Sequence, residues 1–97
     1  MIKGIEMEMG GEKFVIPALT LGQLRSGAFD LMKEHDQLVT DGKTLEALGL
    51  RAKVILLAVK RNYPEMNEAA MDNLLDMENN LRIWRAVLGQ SGIGLGE

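Results

Sequence analysis

Cysteine is absent from the chain, which excludes disulfide cross-links, thiolate catalysis and any cysteine-ligated zinc site, and leaves the redox compartment unread. Stability therefore has to come from packing. Aromatic residues are scarce too: Phe14, Phe29, Tyr63 and Trp84 are the only four, and His35 is the only histidine. No run approaches the roughly 18 apolar residues of a membrane-spanning helix, and the opening MIKGIEMEMGGEK alternates instead of presenting the apolar block of a signal peptide. The expectation is a cytoplasmic protein. Positive charge is not in excess either, with 11 basic against 14 acidic residues and a net charge of -3. That balance argues against a protein that tracks a nucleic-acid backbone.

What is present suffices for one domain: 97 residues, 46% of them hydrophobic, can build a single core. Seven methionines give that core, or a contact surface, a soft and adaptable character. The best organised stretch runs from Leu45 to Arg61. At about 100° per residue, Leu45, Leu48, Ala52, Ile55, Leu56 and Val59 share one arc, and Glu46, Lys53 and Lys60 line the opposite stripe. Val54 and Ala58 widen the apolar side, which makes this the central helix. Asn62, as a left-handed cap, and Pro64, which pushes Tyr63 out of helical geometry, stop it.

Residues 2–16 read as a β-hairpin turning at Gly10-Gly11. Counting back from the turn places Met9 opposite Glu12, Glu8 opposite Lys13, Met7 opposite Phe14 and Ile5 opposite Ile16. Pro17 ends the second strand. Thr20 and Gln23 have the spacing of a capping box, with Leu19 and Leu24 as its hydrophobic staple. The helix they open places Leu21, Leu24, Ala28, Leu31, Met32, His35, Leu38 and Val39 on one face. Asp41-Gly42-Lys43 makes the next turn, with Thr44 or Asp41 capping the central helix. Asn67 caps a short helix over about Glu68 to Leu75, stapled by Met66 and Met71. Asp76 or Asn79 starts the last helix, whose apolar stripe is Met77, Leu81, Trp84, Val87 and Leu88, ending at Gly89. The predicted fold is mainly α, a small four-helix domain with an N-terminal β-hairpin over residues 1–89. Residues 90–97 form a flexible Gly-rich tail.

Chemistry is sparse. His35 has Glu34 and Asp36 beside it, yet consecutive helical residues point about 100° apart, so the three cannot converge on one ion; a core or cleft-edge histidine is expected. Asp72, Asp76 and Glu78 lie where helix boundaries use acidic residues for capping. The glycines after position 88 follow a helix instead of joining a strand to one, and no lysine comes after them, so they make no phosphate loop. No catalytic, cofactor-binding or metal-binding residue emerges. Leu50 and Leu57 lie within roughly 40° of the polar stripe of the central helix. Either the hairpin or the last helix covers them, or they form a contact site for another chain.

The hairpin, Ile16-Pro17-Ala18-Leu19-Thr20-Leu21-Gly22-Gln23-Leu24, the long helix, Arg61-Asn62-Tyr63-Pro64-Glu65-Met66-Asn67, Leu74-Leu75-Asp76, Asn79-Asn80 and Leu88-Gly89-Gln90-Ser91-Gly92 follow one another in a pattern that covers nearly the whole chain. This pattern resembles the small tail assembly chaperones of long-tailed bacteriophages. The resemblance implies a protein of the host cytoplasm that binds the tape-measure protein, keeps it soluble and helps the tail-tube protein polymerise around it. It implies no catalysis, cofactor, nucleic acid or membrane, leaves self-association open, and allows a frameshifted extension of the gene beyond Gly96-Glu97. Its motif fixes no binding residue. The expected partner-binding residues Leu50, Leu57, Ile93 and Leu95 therefore come from exposure arguments alone. The alternatives are a minor structural tail or head-completion protein, with the hairpin pairing between subunits, and a small helical transcription regulator. Against the latter, Glu65, Glu68, Asp72 and Asp76 crowd the would-be recognition region and repel phosphates.

Overall fold

In the computed structural model, which describes residues 1–92, strands β1 (Ile5–Met9) and β2 (Glu12–Ile16) form an antiparallel hairpin. Its register is the one obtained by counting from the turn, Ile5 with Ile16, Met7 with Phe14, Glu8 with Lys13 and Met9 with Glu12. Gly10 and Gly11 both have positive φ, 59° and 81°, as a type I′ turn requires. Met9, Phe14 and Ile16 are buried, whereas Ile5 at the open end is exposed. Lys13 lies opposite Glu8, but its ammonium reaches the diagonal Glu6 at 3.9 Å. Both groups are exposed, so the pair adds little stability.

Four helices follow among the described residues. The first, α1 (residues 21–40), starts on the predicted capping box: the Thr20 hydroxyl accepts from the Gln23 N–H at 3.0 Å, and Gln23 Oε1 accepts from the Thr20 N–H at 2.9 Å. It is not one regular helix. A turn over Leu21–Gln23 runs into a π-helix over Leu24–Ala28, and regular α-helix resumes over Phe29–Thr40. Gly27 sits inside the π-turn at φ 144°, ψ −24°, a conformation that a side chain would strain. The wider turn breaks the phase of the apolar stripe, so Leu21 faces water while Ala28, Met32 and His35 are buried. Val39, on the last turn, is also exposed, contrary to the predicted stripe.

At the end of α1 the Gly42 N–H donates to Val39 O and the Lys43 N–H to Leu38 O, closing the helix as a Schellman motif. Helix α2 (Thr44–Val59) begins at once, with no side-chain cap. Neither Thr44 nor Asp41 takes the predicted capping role; the Asp41 carboxylate accepts from Gln37 Nε2 instead. The central position of α2 holds, since Ala47, Leu50, Val54, Ile55, Leu56, Ala58 and Val59 are buried. The expected polar stripe of Glu46, Lys53 and Lys60 is exposed, but two leucines depart from expectation: Leu45 is 83% exposed and Leu50 only 8%. Contacts with α1, the hairpin and the later helices cover α2 from several sides, leaving Leu45, Glu46, Gly49 and Lys53 in water.

Among the described residues none other than glycine has positive φ, so Asn62 is not a left-handed cap. It docks the hairpin, exchanging hydrogen bonds with the backbone of Ile2 (2.7 and 2.8 Å) and donating to Val15 O at 2.9 Å. The Tyr63 hydroxyl accepts from the Val15 N–H at 2.9 Å, so the outward backbone groups of Val15 are occupied within the molecule. A neighbouring strand would find no open ladder position there.

Helix α3 (Glu68–Leu74) is capped as expected by Asn67, whose Oδ1 accepts from the Ala70 N–H. In α4 (Asn80–Gln90) the buried stripe is Asn80, Ile83, Trp84, Val87 and Leu88. Met77 and Leu81, expected on that stripe, are exposed; Met77 falls in the turn before the helix, which starts only at Asn80. Asp76 organises the turn before it, accepting from the N–H groups of Glu78 and Asn79. The helix ends at Gln90, beyond Gly89, and the left-handed residue is Gly92 at φ 79°.

The expected tail boundary moves accordingly. Gln90 Nε2 donates to Ile16 O, and the Ser91 hydroxyl accepts from the Leu19 N–H, so both residues clamp the segment between hairpin and α1. One cluster joins Met9, Ile16, Ile55, Val59, Met71, Ile83 and Val87 in a shared core. Met9 and Met71 are completely enclosed in it. No helix among the described residues is long and apolar enough to cross a membrane.

Candidate protein-docking groove

Helix α2 enters the fold at Thr44, and the turn between α3 and α4 passes beside its first two turns. Both segments carry large apolar side chains that the core does not reach: Leu45 is 83% exposed and Met77 75%. Val39 and Leu81 are exposed on either side of them. The space between is a groove of two adjoining lobes. One, of about 440 Å³, lies between α2 and the α3–α4 turn, with Leu45, Leu75 and Met77 on its walls. The other, of about 270 Å³, runs toward the end of α1 and includes Val39, Leu81 and Arg51. Leu48, Met77 and Asn80 line both. A contiguous apolar surface of this kind, with polar groups at its floor, is the usual form of a site for another macromolecule.

The floor is a polar chain built on the buried His35 and Asn80. Arg51 donates from Nε to His35 Nε2 at 2.8 Å and from Nη1 to Asn80 Oδ1 at 2.8 Å. Asn80 Nδ2 in turn donates to Asp76 O at 2.8 Å. Arginine can only donate, so His35 Nε2 is an acceptor and the ring carries its proton on Nδ1, which donates to Asp36 Oδ1 at 3.0 Å. The ring also packs on Trp84, centroids 4.6 Å apart and planes inclined by 40°. His35 is thus a buried core residue, as expected, with both nitrogens engaged. Asp36, its neighbour in sequence, folds its carboxylate back onto Nδ1.

Both acceptors of Arg51 are neutral. Burial, and secondarily the like charge of Arg85, lowers the Arg51 pKa from its usual value. Among the described residues no cluster of three or more His, Asp or Glu is placed to hold a metal ion. Asp72 and Asp76 line the larger lobe, but the Asp76 carboxylate is taken up by the α4 turn.

Leu50 and Leu57, expected to bind a partner, lie elsewhere. Leu50 is buried, which corrects its assignment to an exposed contact site. Leu57 is half-buried and borders a separate cleft of about 220 Å³ with Gln23, Gly27 and Leu31. Gln23 Nε2 donates to Leu57 O at 2.9 Å, so α1 lies against Leu57. Ile93 and Leu95 lie outside the described residues. The groove residues Leu45, Leu48, Val39, Met77 and Leu81 were all expected in the core. Their position at helix ends and in a turn, where a neighbouring helix no longer covers them, is the signal that separates them from true core residues. No family model, curated protein or solved structure matches the chain.

Proposed function

We propose that this chain acts by binding another protein, as a tail assembly chaperone of a long-tailed bacteriophage. In this reading it holds the tape-measure protein soluble in the host cytoplasm and assists assembly of the tail tube, without catalysis and without a cofactor. The observation that carries the reading is the groove around Leu45 and Met77, an exposed apolar surface on a small acidic domain. A long helical protein with an apolar stripe aggregates when that stripe has no cover, and a groove lined by leucine and methionine adapts to many such stripes. The resemblance of the Ile16–Leu24 and Arg61–Asn67 segments to the chaperone family supports the same reading.

Two measurements test it together. Co-expression with the long helical protein encoded nearby is expected to move that protein from the insoluble to the soluble fraction. Mass spectrometry of purified particles is expected to find the chain absent. A chain retained in particles, with no effect on the long protein's solubility, would place it among the structural tail or head-completion components instead.

A further inference from the structure

We infer that the groove accepts a partner helix carrying one carboxylate within its apolar stripe, and that this carboxylate pairs with Arg51. The inference deepens the protein-binding reading and rests on it. Arg51 lines the smaller lobe of the groove and spends its Nε and Nη1 on the neutral acceptors of His35 and Asn80. Among the described residues no carboxylate lies within 4.0 Å of its guanidinium. A half-buried cation without a counter-charge is already costly, as the lowered pKa of Arg51 reflects.

A purely apolar helix laid on Leu45 and Met77 would strip the remaining water from Arg51 and return nothing for it. A helix that brings a carboxylate replaces that water with a charge-assisted hydrogen bond, and a helix that brings a lysine meets direct repulsion. The groove therefore selects by charge as well as by shape. The other lobe sets the orientation. Asp72 lies there on α3, so the carboxylate of the partner points toward Val39 and Leu81 and away from Asp72.

Fluorescence anisotropy with the full chain tests this directly. Three labelled peptides of about 20 residues share one leucine stripe with i, i+3, i+4 and i+7 spacing and differ only in a central stripe residue, Glu, Gln or Lys. The Glu peptide is expected to bind about tenfold more tightly than the Gln peptide, and the Lys peptide most weakly. Added salt should narrow the difference. Arg51→Met removes the preference; since it also unhooks His35, the exposed-site variant Leu45→Asp is the second probe and should weaken all three peptides without disturbing the fold.

Equal affinities overturn the charge inference. A concentration-dependent dimer that excludes every peptide overturns it in favour of a second copy of the chain. If no peptide binds while the long protein is still rescued, the groove is wrong and the chaperone reading stands; if the Glu preference holds while rescue fails, the reverse is true.

Discussion

Arg51 Nε and His35 Nε2 lie 2.8 Å apart, and because the guanidinium can only donate, this one bond fixes the histidine as a neutral acceptor. It also ties α1 to α2 directly beneath the groove proposed for docking. The same arginine reaches Asn80 on α4, so three helices meet on one side chain.

Replacing His35 with Phe keeps a ring beside Trp84 but removes the acceptor, leaving the Arg51 Nε–H without a partner. The expected loss is about 1–3 kcal/mol, read as a lower urea midpoint with an unchanged m-value. An unchanged midpoint would mean that the bond contributes nothing to the junction.

Leu50 and Leu45 are five residues apart on α2 and should respond oppositely. Leu50→Ala removes a buried side chain and is expected to cost about 2–5 kcal/mol. Leu45→Ala, in water, should stay within about 0.5 kcal/mol of the parent. Thermal or urea unfolding of the two variants decides the phase of the central helix. Equal losses would place Leu45 in the core.

Parts of this fold are legible in the sequence because they are local. Gly10-Gly11 fixes a two-residue turn, and every cross-strand pair follows by counting; Thr20 with Gln23, and Asn67 with Ala70, are caps written within three residues. The phase of α2 is different. Glu46, Lys53 and Lys60 mark its exposed stripe, but apolar residues surround the rest of the helix, so the packing of α1, α3 and α4 decides which of the leucines near that stripe are covered. The groove follows from that phase and from the late start of α4, which leaves Met77 in a turn. The Arg51 junction joins residues 16 and 29 positions apart, beyond any local pattern, and the π-turn at Gly27 interrupts a stripe that reads as continuous.

The hairpin is held to the helices by Asn62 and Tyr63, two adjacent residues after α2. Asn62→Ala removes the bonds to Ile2 and Val15, and Tyr63→Phe removes the acceptor for the Val15 N–H. Amide hydrogen exchange is expected to show hairpin protection falling by about 1 kcal/mol per lost bond, with α2 and α4 unaffected. A uniform fall across the molecule would show instead that hairpin and helices open as one unit.

Gly27 has open space where a Cβ would be, yet its φ of 144° suits glycine alone. Gly27→Ala should therefore cost about 1–3 kcal/mol through backbone strain without any steric clash. A gain in stability would mean that the regular α-turn, and not the π-turn, is the preferred state of α1.

The central claim is that the Leu45–Met77 groove is where another protein docks. The most direct test is co-expression rescue of the long helical protein by three forms of the full chain: the parent, Leu45→Asp combined with Met77→Asp, and the exposed control Leu21→Asp. The account predicts that the parent and the Leu21 control keep the long protein soluble, while the double variant, still folded by circular dichroism, does not. Rescue by the double variant equal to that of the parent would contradict the claim.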